Sequence, residues 1–96
     1  MPNASLWLAA YDIADPGRLR AVASLCEDYG RRLQHSVFLC ACSRRQILNL
    51  RDAVRDQMDE TADHFMLLPL CERCRNHLSQ LGLEKSLPGH SAPLVV

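Results

Sequence analysis

The amino-acid sequence predicts an α+β fold of the ferredoxin-like type, with elements in the order β-α-β-β-α-β. Short apolar segments of strand length alternate with two longer segments whose apolar residues recur at helical spacing. Turn-forming or polar residues separate the segments at each junction. Two helices packed on one face of an antiparallel sheet is the compact arrangement for this order of elements.

The length and charge of the chain exclude several classes of protein. A chain of 96 residues is one domain by size. We predict that the domain spans residues 1–82, and that the tail 83–96 carries a short strand at residues 92–96. The formal net charge of zero argues against a strongly basic nucleic-acid coat protein. No apolar run is long enough for a membrane helix, and no signal peptide is recognisable, so we expect a cytoplasmic protein with reduced cysteines.

The first two elements are defined by their ends. Residues 5–12 are apolar on both faces and end at a carboxylate, which is typical of a central strand. Asp15 is a good N-cap and Pro16 suits the first helical position, so a helix is predicted over residues 16–29. Gly30 is expected to end this helix in a left-handed conformation.

The rest of the chain divides in the same way. Residues 31–42 are predicted to form two strands with a tight turn near His35 and Ser36. Ser43 and Gln46 have the spacing of a capping box, which predicts a helix over residues 44–58. A polar loop then precedes a strand at residues 64–70. The remaining elements are a helix within residues 71–81, closed by Gly82, and the strand of the tail.

The strands are apolar on both faces of the predicted sheet. In the strand after the turn, Val37, Leu39 and Ala41 alternate with Phe38, Cys40 and Cys42, and neither set is polar. A sheet with one face in water would show alternation of apolar and polar residues. We therefore expect a second copy of the chain to cover the face that the helices leave open.

Asp12 is the first candidate site residue, because a carboxylate at the end of an apolar strand contributes little to solubility. Mg²⁺ is usually held by one or two carboxylates together with waters and phosphates. The alternative is that Asp12 caps a helix or pairs with a nearby arginine, and the local sequence does not separate the two.

Arginines are concentrated in one stretch of the chain. Eight arginines and three acidic residues lie between positions 18 and 55, which gives this stretch a local charge of about +5 (8 − 3). Arginine is the preferred residue for bidentate phosphate contacts. The stretch therefore favours phosphate binding, although each arginine taken alone is better explained as part of a solvated helix face.

The cysteines allow a metal or redox interpretation. Cys71 and Cys74 form a C-x-x-C pair, and with Cys40 and Cys42 they could supply the four thiolates of a structural zinc site. Cysteines alternating along a strand also behave as small core residues. A thioredoxin-like redox pair requires C-x-x-C at a helix start after a strand. This position allows such a pair, but the rest of the thioredoxin pattern is missing.

Four segments together resemble a known family. The strand ends at Tyr11-Asp12-Ile13, the first helix closes at Tyr29-Gly30, and residues 33–38 read Leu-Gln-His-Ser-Val-Phe. Residues 68–74 read Leu-Pro-Leu-Cys-Glu-Arg-Cys. In this order the segments resemble Cas2, the second of the two universal CRISPR-associated adaptation proteins, over residues 6–82.

The resemblance implies a ferredoxin-like homodimer with its sheets face to face, whose last strand extends the sheet of the partner. It implies an adaptor that bridges copies of the Cas1 integrase and holds duplex DNA during the acquisition of new CRISPR spacers. It also implies a Mg²⁺-dependent endonuclease activity on RNA or DNA, as described for some members of the family.

The resemblance also assigns site residues. Asp12 matches the metal-binding and catalytic aspartate of the family, and the two copies of it would face each other across the dimer axis. Arg32 and Phe38 match the arginine and phenylalanine of the family's nucleic-acid-binding segment. The residues alone favour a core position for Phe38, whereas an exposed ring could stack on a base. Arg18 and Arg20 correspond to arginines early in the first helix, displaced by about one position.

Two other functions stay open. A stand-alone, toxin-like endoribonuclease of the related ferredoxin-like kind would act without an integrase. A zinc-stabilised binding module would have no role with nucleic acid. The genomic neighbourhood would distinguish the first of these from an adaptation protein, and a zinc assay would test the second.

Overall fold

The structure is a computed structural model that describes residues 5–82 of the chain. The first six elements follow the predicted order β-α-β-β-α-β, and a short third helix comes after them. The elements are β1 (Ser5–Asp12), α1 (Pro16–Tyr29), β2 (Arg31–Gln34), β3 (Val37–Cys42), α2 (Arg44–Gln57), β4 (His64–Leu70) and α3 (Glu72–Asn76).

The four strands form one antiparallel sheet in the order β2-β3-β1-β4. The long strand β1 lies in the middle, with β3 on one side and β4 on the other. Leu8 of β1 stands opposite Leu39 of β3 and Leu68 of β4. Because side chains alternate between the two faces of a strand, this row belongs to one face and its neighbours in sequence belong to the other. The predicted α+β class and the predicted split β-α-β pattern are confirmed.

Helix α1 begins as predicted and ends for a different reason. The Asp15 carboxylate accepts the backbone N–H of Arg18 at 2.9 Å, which satisfies one of the free donors of the first turn. Gly30 follows the helix in an extended conformation, with φ of −159°, so the predicted left-handed stop is wrong. A Cβ at Gly30 would lie 2.4 Å from the carbonyl oxygen of Leu39 and 2.5 Å from the sulfur of Cys40. Glycine is required there because α1 ends against β3.

In the second half of the chain, the turn and the helix cap agree with the predictions from the local sequence. His35 and Ser36 form the turn between β2 and β3. The capping box of α2 is complete, since the Ser43 hydroxyl accepts the N–H of Gln46 and the Gln46 side chain accepts the N–H of Ser43. The helix predicted over residues 71–81 is shorter than expected: α3 has five residues, and the chain continues without regular structure to Gly82.

The main core lies between the sheet and the two long helices. Phe38, Cys40 and Cys42 face this core from β3 and are buried. They pack with residues of both helices and of β1, including Val22, Cys26, Ala9, Tyr11, Ile47, Leu50 and Val54. Cys40 and Cys42 are therefore core residues, whereas Cys71 and Cys74 are exposed. Within residues 5–82 no three His, Cys, Asp or Glu side chains lie close enough together to hold a metal ion, so the structure does not form the four-cysteine zinc site.

The opposite face of the sheet is only partly covered. Leu6 and Leu39 are buried there beneath Leu78, which lies in the segment after α3. Met66 and Leu68 on the edge strand β4 are 43% and 46% exposed. The chain thus covers part of this face itself and leaves an apolar strip along β4.

Two further expectations concern the tail of the chain and membrane-spanning helices. The tail 83–96, with its predicted strand at residues 92–96, lies outside the described residues. Within residues 5–82 no helix is long and apolar enough to span a membrane.

Candidate nucleic-acid and metal site

Three of the predicted site residues line one groove. The groove has a volume of about 390 Å³ and lies where β1 ends, between the start of α1 and the β2–β3 turn. Asp12, Arg20 and Arg32 contribute its charged side chains, and His35 and Ser36 line it from the turn. The structure therefore places a carboxylate, two guanidinium groups and an imidazole around one open space.

Asp12 is the last residue of β1 and is exposed. It stands opposite His64, the first residue of β4. By the alternation along the strand, Asp12 shares a face with Leu8 and Ala10, which is the face that the helices do not cover. The carboxylate thus lies at the edge of the open face, where it is accessible from solvent.

Tyr11 fixes the position of this end of β1. Its side chain is buried, and its hydroxyl donates to the carbonyl oxygen of His35 at 3.3 Å. Its backbone N–H donates to the carbonyl oxygen of Ser36 at 3.1 Å. Burial raises the pKa of the Tyr11 hydroxyl, so the hydroxyl remains a neutral donor near neutral pH. The turn that carries His35 is therefore tied to the residue next to Asp12.

Arg32 reaches the groove from β2. Its guanidinium carbon lies 5.1 Å from the centre of the Phe38 ring, a cation–π contact. Its partner in an ion pair is Glu27, at 3.5 Å, and both side chains are largely exposed. An exposed pair of this kind contributes little to stability. A phosphate can therefore compete with Glu27 for Arg32 at low energetic cost.

Phe38 does not reach the surface, contrary to its predicted role in binding nucleic acid. Its side chain is completely buried in the main core, where it stacks on Tyr11 with 6.2 Å between ring centres. A buried ring cannot stack on a base in this conformation. Its contribution to the site is to support Arg32 and Tyr11 from below.

Arg18 is also placed differently from the prediction, because it is engaged within the protein. Its Nε donates to Oδ2 of Asp63 at 2.8 Å and its Nη2 donates to Oδ1 at 3.2 Å. The hydrogen bond with Asp63 raises the pKa of the guanidinium further. Arg18 therefore holds α1 to the loop before β4, whereas Arg20, two residues later, is exposed in the groove.

Asp63 is the residue that the sequence did not reveal. Its side chain is fully buried and accepts from the backbone N–H groups of Ala14 and Asp59, both at 2.9 Å, in addition to Arg18. The Arg18 guanidinium, followed by these two backbone donors, holds the pKa of the carboxyl well below its usual range. Asp63 thus joins the start of α1 and the residues just before it to the loop that precedes β4. A carboxylate directly before an apolar strand was the only local signal for it.

The donor set for a metal ion is sparse within one chain. Over residues 5–82 no three His, Cys, Asp or Glu side chains lie close enough together to hold a metal ion. Asp12 is the one carboxylate lining the groove. An oxygen donor of this kind fits Mg²⁺, which takes one or two protein carboxylates and fills its other positions with water and phosphate oxygens.

Comparison with known proteins gives consistent results. The sequence model of the family described as CRISPR associated protein Cas2 matches residues 5–78. The CRISPR-associated endoribonuclease Cas2 of Nitratidesulfovibrio vulgaris is 36% identical over 85 residues, which cover 83% of each chain. The CRISPR-associated endonuclease Cas2 of Halalkalibacterium halodurans is 30% identical over 87 residues, which cover 85% of this chain and 91% of the relative.

A solved structure agrees with these sequence relatives. The crystal structure of Streptococcus pyogenes Cas2 at pH 6.5 superposes with a TM-score of 0.72 at 32% sequence identity. The superposition covers 80% of this chain and 99% of the Streptococcus chain. The four-stranded sheet and the two long helices therefore form a fold that is also found in a crystal structure of a Cas2 protein. The chain belongs to the CRISPR-associated Cas2 family.

Proposed function

We propose that this chain is a homodimeric CRISPR-adaptation protein that holds duplex DNA and bridges copies of the Cas1 integrase. We also propose that the groove at Asp12 is a Mg²⁺-dependent phosphodiesterase site acting on RNA or DNA. The observation that carries both parts is the exposed Asp12 carboxylate beside Arg20 and Arg32 in one groove. The printed names of the relatives, endoribonuclease and endonuclease, support the second part.

The residues of the groove have different roles toward a phosphodiester. Arg20 and Arg32 bind phosphate oxygens and position the backbone of the nucleic acid. The Asp12 carboxylate supplies the oxygen ligand for the divalent ion. When bound, Mg²⁺ supplies Lewis-acid stabilisation of the negative charge that develops on the phosphate. Tyr11 and Asp63 act indirectly, because they hold the segments that carry these groups.

A homodimer with its open faces together completes this site. The exposed Met66 and Leu68 provide the apolar surface for a second copy. Asp12 lies on the same face of β1 as Leu8, so sheet-to-sheet packing allows the two Asp12 carboxylates to approach one another. Two carboxylates for one ion lie within the one or two that Mg²⁺ usually takes from a protein. We further propose that the strand predicted in the tail extends the sheet of the partner at the edge strand β4.

The catalytic part is tested with labelled single-stranded RNA and duplex DNA in the presence of Mg²⁺ or a chelator. Wild-type protein should cleave with Mg²⁺ only. The cleavage rate of Asp12→Ala should be lower by at least about 10–100-fold, the loss that is typical when even an outer-shell partner of a metal ligand is removed. Asp56→Asn is the matched control, because Asp56 is exposed on α2 outside the groove. Full metal-dependent cleavage by Asp12→Ala would remove the catalytic role.

The dimer is tested by sedimentation equilibrium. Leu68→Glu places a charge on the apolar strip and should shift the protein from dimer to monomer. Leu81→Glu is the control, because Leu81 is fully exposed and belongs to neither core cluster. A wild-type monomer, or a Leu68→Glu dimer as tight as wild type, would contradict sheet-to-sheet packing.

The adaptor role is tested by co-purification with the integrase and by integration of a labelled duplex. Complex formation, together with integration by Asp12→Ala, would make the protein an adaptor whose metal site is dispensable. If no integrase binds and RNA is cleaved in an Asp12-dependent manner, the function is that of the stand-alone, toxin-like endoribonuclease.

A further inference from the structure

Two of the five cysteines stand apart from the other three. Cys71 and Cys74 are exposed, and their sulfur atoms lie 3.4 Å apart across the first turn of α3. Cys26, Cys40 and Cys42 are buried in the main core. The exposed pair lies at the end of the sheet opposite to Asp12, because β4 runs antiparallel to β1 and Leu70 pairs with Leu6. The pair therefore has no part in the groove described above.

We propose that Cys71 and Cys74 form a reversible dithiol–disulfide site that reacts with low-molecular-weight disulfides, with Cys71 as the attacking thiol and Cys74 as the resolving thiol. The two sulfur atoms are close enough that a small side-chain rotation joins them. Exposure of both side chains gives a small disulfide access to either sulfur. Nothing in the proposed function of the Asp12 groove is needed for this reaction.

The surroundings of the two sulfurs assign their roles. The backbone N–H of Cys74 donates to the sulfur of Cys71 at 3.4 Å, a contact that stabilises a thiolate at Cys71. This bond and the neighbouring Cys74 side chain lower the pKa of Cys71, while contact with the Cys71 side chain raises the pKa of Cys74. Since the thiolate is the nucleophile in disulfide exchange, Cys71 attacks first.

The buried cysteines provide an internal contrast. Burial raises the pKa of Cys26 and of Cys40 to about 12, so neither forms a thiolate near neutral pH. A metal centre at the exposed pair lacks ligands, because within the described part of the chain no third His, Cys, Asp or Glu side chain completes a cluster with it. Exchange chemistry is what two neighbouring thiols can perform without further groups.

The reaction balances as two successive exchanges. The Cys71 thiolate attacks one sulfur of the small disulfide, forms a mixed disulfide and releases one thiolate. The Cys74 thiol loses its proton to solvent, and its thiolate attacks the Cys71 sulfur. The intramolecular disulfide forms and a second thiolate leaves. The dithiol is oxidised by two electrons, and the small disulfide is reduced to two thiols.

The test uses full-length protein equilibrated in glutathione redox buffers and then quenched with an alkylating reagent. Mass spectrometry counts the free thiols and the bound glutathione. Wild type should lose two thiols together, with little bound glutathione, while three thiols stay reduced. Cys74→Ser should instead accumulate one glutathione on Cys71. Stable mixed disulfides on wild type, or independent oxidation of the two residues, would overturn the proposal.

The assignment of the attacking thiol needs a rate measurement. In Cys74→Ser the hydroxyl keeps a donor beside Cys71, and the backbone donor is retained. Alkylation of Cys71 in this variant should be at least about 5-fold faster near pH 7 than alkylation of Cys74 in Cys71→Ser. Circular dichroism confirms that both variants fold, which we expect because both side chains are exposed. Equal rates, or a faster Cys74, would overturn the assignment.

Discussion

At the scale of single residues, one buried carboxylate ties the start of α1 to the loop before β4. Asp63 receives hydrogen bonds from Ala14, just before α1, from Arg18 in the first turn of α1, and from Asp59 in its own loop before β4. An asparagine at this position would turn an N–H₂ group toward donors, so at least one of these hydrogen bonds would be lost and a buried donor left unsatisfied.

Asp63→Asn should therefore lower Tm by about 5–10 °C at neutral pH, in a domain of this size. The effect should depend on pH. Because the folded-state pKa of Asp63 lies below its unfolded value of about 3.9, the carboxylate stabilises the fold above about pH 4, and this contribution is lost as the pH falls further. Tm of wild type should consequently fall more steeply in acid than Tm of Asp63→Asn.

The control for this measurement is Asp56→Asn, an exposed carboxylate on α2 whose removal should change Tm by no more than about 2 °C. Equal acid dependence in wild type and Asp63→Asn would show that Asp63 is not held as a carboxylate by these donors. Arg18 was assigned to phosphate binding from the arginine-rich stretch and the family resemblance, and its ion pair with Asp63 explains why the structure places it differently. Asp63 lies 45 residues from Arg18 in the sequence, and no local sequence pattern predicts a contact over that separation.

At the scale of elements, local signals predicted the sheet and both long helices almost to the residue. The caps at Asp15 and Ser43 and the turn at His35 act within four residues, so they can be read directly from the sequence. The pattern favoured a core position for Phe38, but it did not say on which face of the sheet the ring lies, because β3 is apolar on both faces. The requirement for glycine at position 30 could not be predicted from the sequence either, because it depends on where α1 meets β3.

Gly30 gives a test of that junction. Gly30→Ala should destabilise the protein by about 2 kcal/mol, because its Cβ would collide with the backbone of β3 at Leu39 and with the Cys40 sulfur. Gly30→Asn should be at least as harmful, whereas a left-handed helix stop would tolerate asparagine. Denaturant unfolding measures both. Gly17→Ala is the control and should cost less than about 1 kcal/mol, since its Cβ would meet only the Asp15 side chain at 3.1 Å. A stable Gly30→Asn variant would restore the left-handed explanation.

At the scale of the whole molecule, the net charge of zero conceals an uneven distribution. The excess of arginines between positions 18 and 55 is only partly available to a ligand. Arg18 is paired with buried Asp63, whereas Arg20 and Arg32 are exposed at the groove with at most a weak partner. Binding of nucleic acid should therefore depend on a few arginines at one end of the sheet, and their contribution should weaken with salt as counterions are released.

This distribution predicts distinct effects for arginines that look alike in the sequence. Arg20→Gln and Arg32→Gln should each reduce the slope of log affinity for duplex DNA against log salt concentration by about 0.9, because each removes one phosphate contact. Arg73→Gln should leave the slope unchanged, because Arg73 lies on α3 at the opposite end of the sheet. Arg18→Gln should lower Tm and affect the slope less, since the guanidinium of Arg18 already binds Asp63.

Fluorescence anisotropy over a series of salt concentrations measures the affinity of all four variants for duplex DNA, and hence the slope. An equal loss of slope in Arg73→Gln and Arg20→Gln would mean that the duplex contacts the whole surface, and that the groove at Asp12 is not where the backbone is held.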